Sequence, residues 1–353
     1  MQNSLCQAEP PARRQAFTGA VLPLVGGGPY CALGHTTLGQ GHLMKSTLGL
    51  ACATVALGLA ATAAATTAPA QAAGPTYVAL GDSYSSGVGT RAYLDDGTEC
   101  QRSTYAYPSL LAAAKGWALN LRACSGATTA DVTSSQLSAL STSTSYVTIS
   151  VGGNDAGFSD VITECALPAW ASDCAAKVDT ANAFIRGTLP GRLRTLYAAI
   201  ASRAPQARVA VVGYPRLFQG EDCNAATFFS PEDESRLNAT ADLLDSTLST
   251  AARGAGFAFA DPRSRFTGHA VCDDPEWLNG FSNPVSESYH PNRLGHSSGY
   301  TPLVGPALGT TSVAPTAAVL ADARAQGPAL AAQQRAYAAE DRTYAQKGDY
   351  APR

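Results

Sequence analysis

Charge is scarce in this chain. Asp, Glu, Lys and Arg make up 14% of its 353 residues, and 24 basic against 27 acidic side chains leave a formal net charge of -3 at pH 7. A surface that grips nucleic-acid phosphates needs a basic excess, so no nucleic-acid partner is expected. No two of the nine cysteines stand at CxxC spacing, which removes the usual framework for a zinc site. Histidine is rarer still, and beyond residue 73 it is confined to His269, His290 and His296. Chemistry that needs an imidazole has few to draw on. What the chain does have is 45% apolar content, enough to bury one large core or two medium ones, and too much for a disordered chain.

Met44-Lys45 opens an apolar run from Leu48 to about Ala65 that ends in Ala70-Gln71-Ala72. A basic start, an apolar middle and small residues at 70 and 72 are the marks of a signal peptide over 44–73, with cleavage after Ala72 or Ala73 and a secreted product. A membrane anchor is disfavoured because the run is rich in Ala and Thr and dissolves into Thr66-Thr67-Ala68-Pro69. Residues 1–43 show no sustained period and read as a non-native leader. Without residues 1–73 the balance is 21 basic against 26 acidic, and the cysteines fall from nine to six. An even set in an exported chain reads as three disulfides. Six cysteines allow fifteen connectivities; the spacing in local pairs favours Cys100–Cys124, Cys165–Cys174 and Cys223–Cys272.

Short apolar runs recur at Tyr77–Leu80, Ala118–Leu121, Tyr146–Val151, Val209–Val212 and Phe257–Ala260. Consecutive apolar positions predict strands buried on both faces, and helix-like periods around Tyr105–Lys115, Thr180–Arg203 and Pro231–Gly254 lie between them. Alternation of this kind predicts an α/β fold with a covered parallel sheet, whose ligands bind beyond the carboxyl ends of the strands. The main domain is expected over 74–309. From Thr310 to Arg353 an Ala/Gln-rich extension predicts a helix broken at Gly327-Pro328, with no catalytic residue types arranged in it.

Two serines compete as nucleophile. Gly295-His296-Ser297-Ser298-Gly299 matches the G-x-S-x-G elbow, but His290-Pro291-Asn292-Arg293-Leu294 precedes it instead of a strand and no histidine follows His296. Gly81-Asp82-Ser83-Tyr84-Ser85-Ser86-Gly87 instead follows the first strand directly, which places Ser83 at a strand end. The plainer alternative is that this segment merely caps the next helix. The third strand runs into Gly152-Gly153-Asn154-Asp155, where an amide and permissive glycines suit an oxyanion, although the same residues make an ordinary turn. After the second strand, Cys124-Ser125-Gly126-Ala127 offers the Gly126 N–H. A serine needs a base, and His290, in a loop-like stretch before the last helix, is better placed than His296 inside that helix or His269 away from any strand end.

Taken together, GDSYSSG, the glycine of CSGAT, GGND and the HPN segment resemble, in order, the four blocks of the GDSL or SGNH hydrolase family, over about residues 75–308. The six cysteines are similar to the three-disulfide pattern of its secreted actinobacterial lipases and phospholipases. The resemblance implies a three-layer α/β/α sandwich around a five-stranded parallel sheet in flavodoxin-like order. It also implies Ser83 as nucleophile, His290 as base, and the Ser83 N–H, Gly126 and Asn154 as oxyanion hole. Many relatives carry Asp three residues before the histidine, where this chain has Glu287. Either Glu287 or a nearby backbone carbonyl, that of Ser288, is expected to orient the imidazole.

The expected activity is hydrolysis of carboxylic esters of lipids, acylglycerol or phospholipid, through an acyl-enzyme on Ser83. It calls for no metal and no organic cofactor, and for a monomer in transient contact with a lipid interface. Phe158, Trp170, Phe228, Phe229, Trp277 and Phe281 are candidates to line an acyl groove. A carbohydrate acetylesterase is the enzymatic alternative, and a secreted binding module that keeps the fold without turnover is the non-enzymatic one. His290 is expected to lose its basicity near an unperturbed pKa of about 6.5.

Overall fold

A computed structural model of the chain describes residues 74–224, 226–329 and 332. The leader and signal-peptide readings of residues 1–73, and most of the extension beyond 329, lie outside the described residues.

Five strands, β1 (Thr76–Gly81), β2 (Ala118–Leu121), β3 (Tyr146–Ser150), β4 (Arg208–Val212) and β5 (Ala258–Ala260), form one parallel sheet in the order β2-β1-β3-β4-β5. The central strands are buried nearly end to end, as their unbroken apolar runs require. β2 departs from the expectation of burial on both faces. It is one of the two edge strands and alternates between exposed and half-buried residues, so its apolar run is covered on one side alone.

Helices cover both faces. They are α1 (Ser83–Ser86), α2 (Tyr107–Lys115), α3 (Thr129–Asp131), α4 (Phe158–Cys165), α5 (Cys174–Gly187), α6 (Leu189–Arg203), α7 (Pro231–Gly254) and α8 (Thr301–Ala307). α2 and α8 pack on one face, and α6 and α7 on the other with α5 against them, giving a three-layer α/β/α sandwich. The segment with helix-like periods around Thr180–Arg203 falls in two helices. α5 stops at Gly187 and α6 restarts after Thr188, with Pro190 in its first turn, where a missing N–H costs nothing. Leu193, Leu196, Tyr197 and Ile200 of α6 and Leu244 and Leu248 of α7 share the core with Leu80, Ile149 and Val211 of the sheet.

Three disulfides, Cys100–Cys124, Cys165–Cys174 and Cys223–Cys272, tie loops to this frame. Residues 317–329 are helical, and the helix continues through Gly327 and Pro328 where a break was expected. Asp322 on it pairs with Arg293, whose guanidinium also lies over the Tyr105 ring. No helix among the described residues is long and apolar enough to cross a membrane.

Candidate active site

The chain leaves β1 and crosses to β2 on one side, then returns to place β3 on the other. The carboxyl ends of β1 and β3 therefore flank the point where strand order reverses, a crevice in which open α/β sheets bind ligands. Ser83 and Asn154 stand just beyond these two ends.

Gly81 ends β1 at φ +119, with its Cα so close to β3 that a Cβ there would meet the Ser150 carbonyl oxygen at 2.1 Å. Asp82 then caps α1 by accepting the Tyr84 N–H at 3.1 Å, and Ser83 is the first helical residue. The cap weighed from sequence is therefore present, made by Asp82, while Ser83 stands just beyond the end of β1. Ser83 keeps 7% exposure. Its Oγ lies 2.8 Å from His290 Nε2, and His290 Nδ1 lies 2.8 Å from the Ser288 carbonyl oxygen. A carbonyl can only accept, so Nδ1 carries the proton and Nε2 presents its lone pair to the serine.

Glu287 does not take the orienting contact. Its carboxylate accepts from the Tyr93 hydroxyl at 2.7 Å and faces Arg91 Nε at 3.2 Å, turned away from the imidazole. Its contribution is to hold the loop before the histidine. Asn279 secures the same loop, donating from its side chain to the Gly89 and Glu287 carbonyls while its backbone exchanges bonds with Tyr289 and His290. Burial pulls His290 down to about 4 against the opposing Ser288 bond, so the ring is neutral well below the 6.5 expected for an unperturbed imidazole.

On the opposite side, one Asn154 side-chain N–H donates to the Ala127 carbonyl at 3.0 Å, and Asn154 lines a cavity together with Ser83 and His290. The Cys124–Ala127 turn that carries Gly126 is fastened at its start by the Cys124 N–H on the Gly81 carbonyl, 3.0 Å, and at its end by that Asn154 bond. Gly126 adopts φ +78, and a Cβ there would meet nothing within 4 Å. Asp155 anchors the GGND loop, accepting both the N–H and hydroxyl of Thr129 and pairing with Arg192.

The other candidates lie elsewhere. Ser297 is buried in a π-helical turn, Gly295–Tyr300, and its hydroxyl donates to the Leu294 carbonyl. His296 is buried and accepts the Tyr107 N–H, and burial lowers it to about 3. His269 stacks on Trp277 and bonds to the Pro275 carbonyl. Of the six aromatics put forward for an acyl groove, Phe158 and Phe281 line the cavity at Ser83. Phe229 packs on Phe218 and Tyr289, Trp170 is 81% exposed, and neither Trp277 nor Phe228 reaches the cavity.

That cavity has a volume of about 390 Å³ and opens beside Ser83, Asn154 and His290. Ile162, Ile185, Leu217 and Leu244 give it apolar walls. Among the described residues no group of three His, Cys, Asp or Glu could hold a metal ion. Sequence reasoning missed the scaffold beneath the site. Gln136 brackets Gly81 with its amide, and Tyr214 bonds to Asp82. Neither sits in a recognisable motif, and both are brought in by the fold from other elements.

The GDSL-like Lipase/Acylhydrolase family matches residues 79–297, a span that holds Ser83, Gly126, Asn154 and His290. The chain belongs to that family. As a GDSL-type hydrolase it is similar to Lipase 1 of Streptomyces coelicolor, 45% identical over 254 residues that cover 71% of this chain and 93% of that protein. It is also similar to the crystal structure of an extracellular lipase from Streptomyces rimosus, 44% identical with a TM-score of 0.63 over 66% of this chain and 99% of that one. A phospholipase A1 from Streptomyces albidoflavus gives 43% identity and a TM-score of 0.63 over the same shares. The GDSL lipase/esterase class therefore describes this chain's chemistry.

Proposed function

We propose that the protein is a secreted serine esterase of lipid carboxylic esters that works through an acyl-enzyme on Ser83. The observation that carries the reading is the chain of two 2.8 Å contacts from Ser83 Oγ through His290 to the Ser288 carbonyl. Ser83 Oγ attacks the ester carbonyl carbon as Nε2 takes its proton. The resulting imidazolium is held by the Ser288 carbonyl, whose partial negative charge faces Nδ1–H. Negative charge developing on the carbonyl oxygen is met by the Ser83 N–H, the Gly126 N–H and the free Asn154 amide hydrogen. Collapse passes the proton from Nε2 to the departing alcohol. Water, deprotonated by the same nitrogen, then attacks the acyl carbon and releases Ser83.

The apolar lining of the cavity favours a hydrocarbon acyl chain over an acetyl group, and secretion is supported by the three disulfides and by the extracellular Streptomyces rimosus relative. Contact with a lipid surface as a monomer belongs to the same reading. Leu167 and Val285, 38% and 63% exposed, both border the cavity, and Trp170 stands in the Cys165–Cys174 loop with Leu167. A panel of nitrophenyl esters from acetate to long acyl chains, with a phospholipid alongside, tests this. kcat/KM is expected to rise with chain length and to vanish in Ser83→Ala. A preference for acetate would point to the carbohydrate acetylesterase alternative.

A further inference from the structure

The nucleophile turn stands on a buried carboxylate that the steps above leave unused. Asp82 is 1% exposed. Its Oδ1 accepts from the Ser150 hydroxyl at 2.7 Å and the Tyr84 N–H at 3.1 Å, and its Oδ2 accepts from the Tyr214 hydroxyl at 2.5 Å. These donors come from the end of β3, from α1 and from the segment after β4. Tyr214 is itself held, since its N–H donates to Asp245 of α7 at 2.8 Å. Its ring lies against Gly153, where a Cβ would stand 3.7 Å from Cζ, and the Gly153 N–H faces its hydroxyl oxygen. Gly153 adjoins Asn154, and Asp82 adjoins Ser83. A single phenol thus links the residue beside the attacking oxygen to the residue beside the oxyanion amide.

We propose that Asp82 is a positioning residue for ester hydrolysis: as a carboxylate it accepts the Tyr214 hydroxyl and holds the Ser83 turn against the Gly153–Asn154 segment. This rests on the roles given to Ser83 and Asn154 above. A carboxylate is an acceptor only, matched to three donors. A protonated Asp82 would bring a hydrogen where donors already converge, so the Tyr214 link would have to turn round or break.

The groups that face Asp82 supply no cation. They are the phenols of Tyr84, Tyr107, Tyr214 and Tyr300, all raised by burial and neutral, with Asp245 on α7 raised by burial, and His290, bonded to the neighbouring Ser83, lowered by burial. Burial accordingly pushes Asp82 up to about 6, against the opposing bonds from Tyr214, Ser150 and Tyr84. His290 is still neutral at that pH, so activity on the acid side follows Asp82 first.

The test is steady-state kinetics on a soluble nitrophenyl ester from about pH 4 to about pH 8, with melting curves, for the wild type, Asp82→Asn and Tyr214→Phe. Misplacing the reacting groups without altering the cavity should lower kcat on the order of tenfold to a hundredfold in both variants, with KM within about twofold. The wild-type acid limb is expected near 6. In Asp82→Asn it should shift down toward the His290 range, and in Tyr214→Phe it should shift up, because a bond that lowers Asp82 is lost. Asp82→Asn should melt no lower than the wild type at neutral pH. A folded-state pKa above the unfolded one means that the ionised acid costs stability, which is lost as pH rises through this window. An acid limb unmoved in both variants, or unchanged kcat with a lower melting temperature, would overturn the proposal. Fluorophosphonate labelling of Ser83, run in parallel, reports on the nucleophile assignment independently of either variant.

Discussion

Glu287 and Ser288 are neighbours with different parts, and the backbone decides between them. Tyr289 adopts φ +59, a left-handed turn that brings His290 back over Ser288 so that Nδ1 meets the carbonyl of the residue two before it. From sequence the two candidates could not be separated, because both precede the histidine within three residues and the choice depends on that one dihedral. That Ser83, His290 and Asn154 share a cavity could be anticipated for a simpler reason: each requirement of acyl transfer had few residues to fill it at a strand end or before the last helix. Two outcomes follow at this scale. Glu287→Gln keeps an acceptor for Tyr93, so kcat should stay within a fewfold of wild type, whereas His290→Ala should lose on the order of 10⁴-fold or more; parallel kinetics compare the two. Asn154→Ala should cost about 2.7–4 kcal/mol in kcat/KM, and a rate unchanged from wild type would remove it from the oxyanion hole.

At the level of elements, the strands were readable where burial is complete and less so where it is not. β1, β3 and β4 sit within a residue of their apolar runs, whereas the burial of β2 depended on its rank in the sheet, which no local pattern encodes. The α5–α6 division at Thr188 was hidden because the apolar positions continue across it, and the Pro190 that marks the restart fits a helix's first turn. The disulfides were readable from spacing and close loops of different size, 24, 9 and 49 residues apart. Chain entropy then predicts that replacing both cysteines by serine costs about 3.5 kcal/mol for Cys100–Cys124, about 2.7 for Cys165–Cys174 and about 4 for Cys223–Cys272. Urea midpoints should be lowest for the Cys223–Cys272 double variant, intermediate for Cys100–Cys124 and highest for Cys165–Cys174. Loss of Cys100–Cys124 should also reduce activity, since it releases the turn that carries Gly126.

Across the whole molecule, one topological fact gathers the chemistry. With strands in the order β2-β1-β3-β4-β5, the loops after β1 and β3 open beside each other, and the return of the chain after β5 brings His290 to the same crevice. Ser83, Asn154 and His290 thereby line one cavity although they span some two hundred positions. The buried layer below them was not legible, because Asp82, Ser150, Tyr214 and Gln136 come from separate elements and resemble ordinary core polar groups until the fold joins them. The most direct measurement is to quench the enzyme in acid during turnover of an ester whose deacylation is slow, digest it and weigh the peptides. The account predicts the acyl mass on the peptide containing Ser83, and none in His290→Ala. An acyl group found on Ser297, or a burst of alcohol with no acyl group on Ser83, would contradict it.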